Sequence, residues 1–175
     1  MRDDLLEWRR EFPILAHSTY LISNSLGAMP QGVQRRLQEY ADTWNRRGVR
    51  AWEEEWWDLP VRVGDLLAPL VGAGAGELSM HPNVTLTEAV ILSCFDRYAL
   101  RRGRTRIVCE ELNFPSILYL LREWSAERGC ELVLVASEDG VTVDTQRMVD
   151  AIDEQTFLVP ISHVLFKSSY VQDVR

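Results

Sequence analysis

Hydrophobic positions recur along this chain at two alternating periods, one helical and one extended. After Pro30, residues Val33, Leu37, Tyr40, Ala41 and Trp44 return at helical spacing until Gly48, which predicts an amphipathic helix with Pro30 at its first position. A second helix is predicted over 59–71, with Val63, Leu66, Leu67 and Leu70 as its apolar stripe, and the run Gly72-Ala73-Gly74-Ala75-Gly76 ends it. Those glycines lack the preceding strand and the third-glycine spacing of a dinucleotide fingerprint, so they read as a helix-terminating turn.

A third helix is predicted to open at Thr85. Thr85 and Glu88 have capping-box spacing just ahead of Ala89-Val90-Ile91-Leu92, so the hydroxyl and carboxylate would satisfy helix N–H groups reciprocally. Short β-rich runs follow at 106–109, 131–135 and 157–162. Between them lie a helix bearing Leu118, Leu121 and Trp124, which stops near Gly129, and a helix over 145–152. Strands separated by helices predict the α/β class: a parallel-type sheet with flanking helices, right-handed crossovers, and ligands collected at the strands' carboxyl ends. There the free N–H groups and dipole of the Thr85 helix would cradle a phosphate. Read as structure alone, the same motif is a capped helix without a ligand.

Composition narrows the partners. The chain has 175 residues, 46% of them hydrophobic, and can build one core of ordinary size. A formal charge of −7 argues against nucleic acid and anionic membrane, which need clustered Lys and Arg. No apolar run nears the roughly 20 residues of a membrane span, and the opening Met1-Arg2-Asp3-Asp4 has no signal-peptide character. Cys94, Cys109 and Cys130 lack paired spacing, which suits reduced core thiols in a cytoplasmic protein. The three histidines are too scattered for a metal site. Ser25, His163 and Asp173 have no nucleophile-elbow context for a hydrolase triad.

With these elements placed, Ile22-Ser23-Asn24-Ser25-Leu26-Gly27-Ala28-Met29-Pro30 resembles the Gly-Asn-Ser-Leu-Gly-x-x-Pro signature of kynureninases. Leu70-Val71-Gly72-Ala73, the pair Val84-Thr85, Asn113-Phe114-Pro115-Ser116, and Ser162-His163-Val164 through Val171-Gln172-Asp173-Val174 follow in the family's order. Together they resemble class V, fold-type-I pyridoxal-phosphate enzymes from about Tyr20 to the last residue. The resemblance implies the amino-terminal part of the large domain of such an enzyme, with residues 1–50 as an N-terminal segment and helix and 51–175 as an incomplete cofactor-binding domain.

By position, the resemblance implies that Val84 and Thr85 bind the cofactor phosphate, with Thr87 a second candidate. It also implies that Phe114 stacks on the pyridine ring, that Ser162 lies near the cofactor plane, and that Asn24 and Ser25 face the substrate's polar end. The implied reaction is cleavage of the Cβ–Cγ bond of kynurenine to anthranilate and alanine, in a homodimer or with a complementing C-terminal polypeptide. Trp52, Trp56 and Trp57 would line an aromatic-amine pocket or pack against a neighbouring subunit. Two departures stand out. Ile117 occupies the place of a family Asp, and the only lysine, Lys167, lies well before the position of the family's Schiff-base lysine. No catalytic residue is therefore assigned. An aminotransferase, a cysteine desulfurase-like lyase and a non-catalytic remnant are the alternative readings.

Overall fold

A computed structural model describes residues 4–23 and 25–174, without the side chains of residues 4 and 96–101. It divides into two compact units, 1–80 and 81–175.

The second unit is built around a three-stranded parallel sheet. Helix α3 (Val84–Arg101) leads into β1 (Arg106–Glu110), α4 (Pro115–Arg128), β2 (Glu131–Val135), α5 (Thr145–Ala151) and β3 (Thr156–Leu158). The strand order is β2-β1-β3, so β1 is central and both partners run parallel to it. Alternation along β1 divides the core into two layers. Ile107 and Cys109 pack with Leu92 of α3 and with Ile117, Leu121 and Trp124 of α4, whereas Val108 packs with Val135, Val143 and Met148 of α5. Helices therefore cover both faces, the arrangement that gives a parallel strand its unbroken apolar run. At the strands' amino ends, Arg106 ties the sheet together by pairing with Glu131 at 2.8 Å and with Asp153.

The strand β3 is shorter than the 157–162 the sequence predicts, because Pro160 has no N–H to continue a ladder. Beyond it, the chain runs through Ser162 into a tight hairpin in which Val164 bridges Val171. The predicted helix start also moves. Asn83, not Thr85, caps α3: its Oδ1 accepts from the Leu86 N–H at 2.9 Å. An Asx cap one position before the helix leaves the Thr85 hydroxyl free for another partner, and the capping box does not form.

The first unit contains 3₁₀ turns at Asp4–Glu11 and Pro13–Ala16, helix α1 (Gly32–Arg47), a π-turn at Trp52–Trp56, and helix α2 (Leu59–Val71). The helix α2 ends at Gly72, left-handed at φ 72°, so the glycine run is a helix stop. Among the described residues no helix is long and apolar enough to cross a membrane. Among the described residues no disulfide joins the three cysteines. Cys109 is buried and Cys130 half-buried, but Cys94 is exposed, contrary to the expected core thiol.

Candidate functional site

Two helices begin side by side at the carboxyl end of β1. The Thr85 hydroxyl, in the first turn of α3, donates to the Ser116 hydroxyl in the first turn of α4 at 2.7 Å. Helix starts leave main-chain N–H groups without intrahelical acceptors. In α3 the Asn83 cap takes Leu86, and the Asn83 carbonyl takes Thr87, so Val84 and Thr85 keep free N–H groups among the described residues. In α4 the Phe114 carbonyl accepts from Ile117 and Leu118, Pro115 has no N–H, and Ser116 keeps its own. Two positive dipole ends, three unpaired N–H groups and the Ser116 hydroxyl, which accepts from Thr85 and keeps its own proton, thus meet at one rim. That donor set fits an anion such as phosphate. Thr87 contributes nothing to it, because its hydroxyl donates to the Asn83 carbonyl at 3.0 Å.

Beside this rim, a buried polar clasp joins the end of β1 to the segment after β3. Glu110 is fully buried, and its Oε1 accepts from the Ser162 N–H at 2.7 Å where strand pairing has stopped. Asn113, also buried, accepts at Oδ1 from the Phe114 N–H at 2.7 Å and from the Ser162 hydroxyl at 3.1 Å. Gln172 donates from Nε2 to the Ser162 carbonyl at 2.6 Å. Every polar group of Ser162 is therefore engaged. Phe114 is 41% exposed as a residue, and its ring meets Phe166 of the hairpin edge-on, with centroids 5.1 Å apart and planes at 76°.

Two carboxyls near the rim are shifted by burial. Burial raises the Glu88 carboxyl above its ordinary range, and its buried Oε1 has no partner. Burial likewise raises Glu110, against the opposing hydrogen bond from Ser162. Burial, reinforced by the charge of Glu110, pushes the Cys109 thiol far up, so it is no nucleophile.

Val84, Thr85, Phe114 and Ser162 thus lie in one unit and are connected through Ser116 and Asn113. Ser25 belongs to the other unit, exposed in a turn where its N–H donates to the Ile22 carbonyl at 3.1 Å. Asn24 lies outside the described residues. Ile117 is packed into the core, and Lys167 is exposed in the hairpin turn. Glu110 and the coupling role of Asn113 went unread in the sequence. A carboxylate ending a strand passes for a solvated residue, although its place after three apolar strand positions was a usable signal.

In the first unit, Tyr40 stacks on Trp56 at 4.7 Å between centroids, and Trp52 meets Trp56 edge-on at 5.3 Å. A groove of about 690 Å³ runs beside them, with Arg36, Arg62, Glu55 and Val63 in its walls. Trp57 is exposed.

No protein-family model matches the chain. Kynureninase from Burkholderia pseudomallei is 34% identical over 180 residues, an alignment covering 99% of this chain and 42% of that protein. Kynureninase from Geobacillus thermodenitrificans is 31% identical with the same coverage. Among solved structures, a C-DES mutant with glycine covalently linked to its PLP cofactor matches with a TM-score of 0.77 at 19% identity, over 95% of this chain and 43% of that one. DndA from Streptomyces lividans matches at 0.70 and 22% identity, over 89% of this chain and 44% of that one. The structural likeness carries the fold, and the sequence likeness narrows it. The chain spans about two fifths of the length of the curated relatives it matches. With the ordered motifs, the parallel sheet and these relatives in agreement, the chain resembles the amino-terminal portion of the kynureninase-like class V, fold-type-I pyridoxal-phosphate enzymes.

Proposed function

We propose that this chain supplies the phosphate- and ring-binding half of a pyridoxal-phosphate-dependent hydrolase that converts kynurenine and water to anthranilate and alanine. One observation carries the reading: the starts of α3 and α4 are joined through Thr85 and Ser116 at the carboxyl end of the central strand. There the N–H groups of Val84 and Thr85 hold the phosphate, beside the Ser116 hydroxyl that Thr85 orients. Phe114 offers an aromatic face to the pyridine ring, and Ser162 is held beside it. Pyridoxal phosphate, when bound, supplies the electron sink for carbanion chemistry next to the substrate amine. Asn24 and Ser25 face the substrate's carboxylate or amine, residues 51–175 belong to the cofactor-binding domain, and the enzyme is cytoplasmic and works as a homodimer or with a complementing polypeptide. The tryptophans at 52, 56 and 57 serve a neighbouring subunit or an aromatic-amine pocket.

Ile117 favours a second reading. In the core it cannot replace the acid that kynureninases carry there, which leaves room for a cysteine desulfurase-like lyase or an aminotransferase of the same class. The lack of any lysine besides Lys167 supports a non-catalytic remnant for residues 1–175 taken alone. Purified chain incubated with pyridoxal phosphate and kynurenine, followed by anthranilate fluorescence, separates these readings. The expected result is cofactor uptake without turnover by residues 1–175, and turnover once a lysine-bearing partner segment is supplied. Sulfide release from cysteine in the complemented protein would favour the second reading. Absence of cofactor uptake would contradict the whole assignment.

A further inference from the structure

We infer that Asn113 is a positioning residue that sets Phe114 and Ser162 against each other and fixes the hydrogen-bonding sense of the Ser162 hydroxyl. The inference rests on the cofactor reading above but concerns a residue that reading leaves without a role. A main-chain N–H can only donate, so the Phe114 N–H at 2.7 Å identifies the amide atom facing it as oxygen. The Ser162 hydroxyl, 3.1 Å from that same oxygen, must then donate to it. Its proton is committed, and it meets a ligand with lone pairs alone. Glu110 and Gln172 hold the Ser162 N–H and carbonyl, so the backbone that carries the hydroxyl is fixed in front of Asn113. The amide nitrogen of Asn113 is occupied by Cys109 Sγ at 3.5 Å, which keeps the side chain from flipping. One buried oxygen therefore spaces the ring-bearing loop from the segment after β3. The Phe114–Phe166 edge contact repeats that link at the level of the rings.

The full chain titrated with inorganic phosphate and, separately, with pyridoxal phosphate tests this. Asn113→Ala is expected to weaken pyridoxal phosphate about tenfold and collapse its induced circular dichroism, as one lost buried hydrogen-bond acceptor implies, while phosphate affinity stays within about twofold. Asn113→Asp keeps the acceptor oxygen and is expected to retain pyridoxal phosphate to within about threefold of the native chain. Unchanged dichroism and affinity in Asn113→Ala, or equal losses for both ligands, would overturn the inference. If Asn113→Ala does not fold, Ser162→Ala removes one of the two donors; its dichroism is expected to fall, and an unaltered signal would be equally contrary. A native chain that takes up phosphate and pyridoxal phosphate while Asn113→Ala matches it sinks the positioning role alone. A native chain that takes up neither sinks the cofactor reading, and this inference with it.

Discussion

The two units use the same kind of amphipathic pattern to different ends. In the second, the apolar positions of α4 and β1 are covered from both sides of the sheet, and Leu121, Ile107 and Val108 are fully buried. In the first, α1 buries none of its residues, and Leu37, Trp44, Leu66 and Leu70 are 61–82% exposed. Helical periodicity thus forecasts that an element forms, not what its apolar face will meet. Only the unit that carries a sheet provides its own partner surface.

The sharpest way to break this contrast is a pair of matched truncations. Leu121→Ala should cost about 3 kcal/mol in denaturant melts, as a buried Leu deletion does, whereas Leu70→Ala should stay within about 0.5 kcal/mol. Equal losses would erase the distinction between the units. Gly64 limits the contrast from the other side, since a Cβ there would overlap the Leu78 carbonyl. Gly64→Ala should therefore destabilise the first unit by about 2 kcal/mol, measured by its own thermal transition. A smaller effect is expected at the start of α3. Asn83→Ala should cost about 1 kcal/mol through the lost cap, while Thr85→Ala should leave stability nearly unchanged and lower phosphate affinity.

The smallest effect concerns pH. Burial raises the Glu88 carboxyl in the folded state. The stability contributed by its neutral form is then complete below the unfolded carboxyl range and is lost as pH rises through the folded value. Glu88→Gln should remove that loss and stabilise the protein above neutrality by no more than about 1 kcal/mol, because the group is only half-buried. Melts at several pH values that run parallel for the native and variant chains would count against the unpaired carboxyl.

How much could be read beforehand follows from the same physics. The ends of α2 and α4 were legible because Gly72 and Gly129 terminate them, and the parallel order followed from strand–helix alternation. The end of β3 was not, since Val159-Pro160-Ile161 keeps its apolar character after the ladder has ended. The cap of α3 was misplaced by two residues. Asn83 and Thr85 both have cap chemistry, and only the tertiary partner Ser116 decides between them. Glu110 and Asn113 act through contacts about 50 residues away, which no local spacing reveals.

The most direct measurement is a residue-resolved amide NMR titration of the chain with pyridoxal phosphate. The account predicts saturating shifts at the Val84, Thr85 and Ser116 amides, with Phe114 following. Saturable binding that leaves those amides unmoved and perturbs others would contradict it.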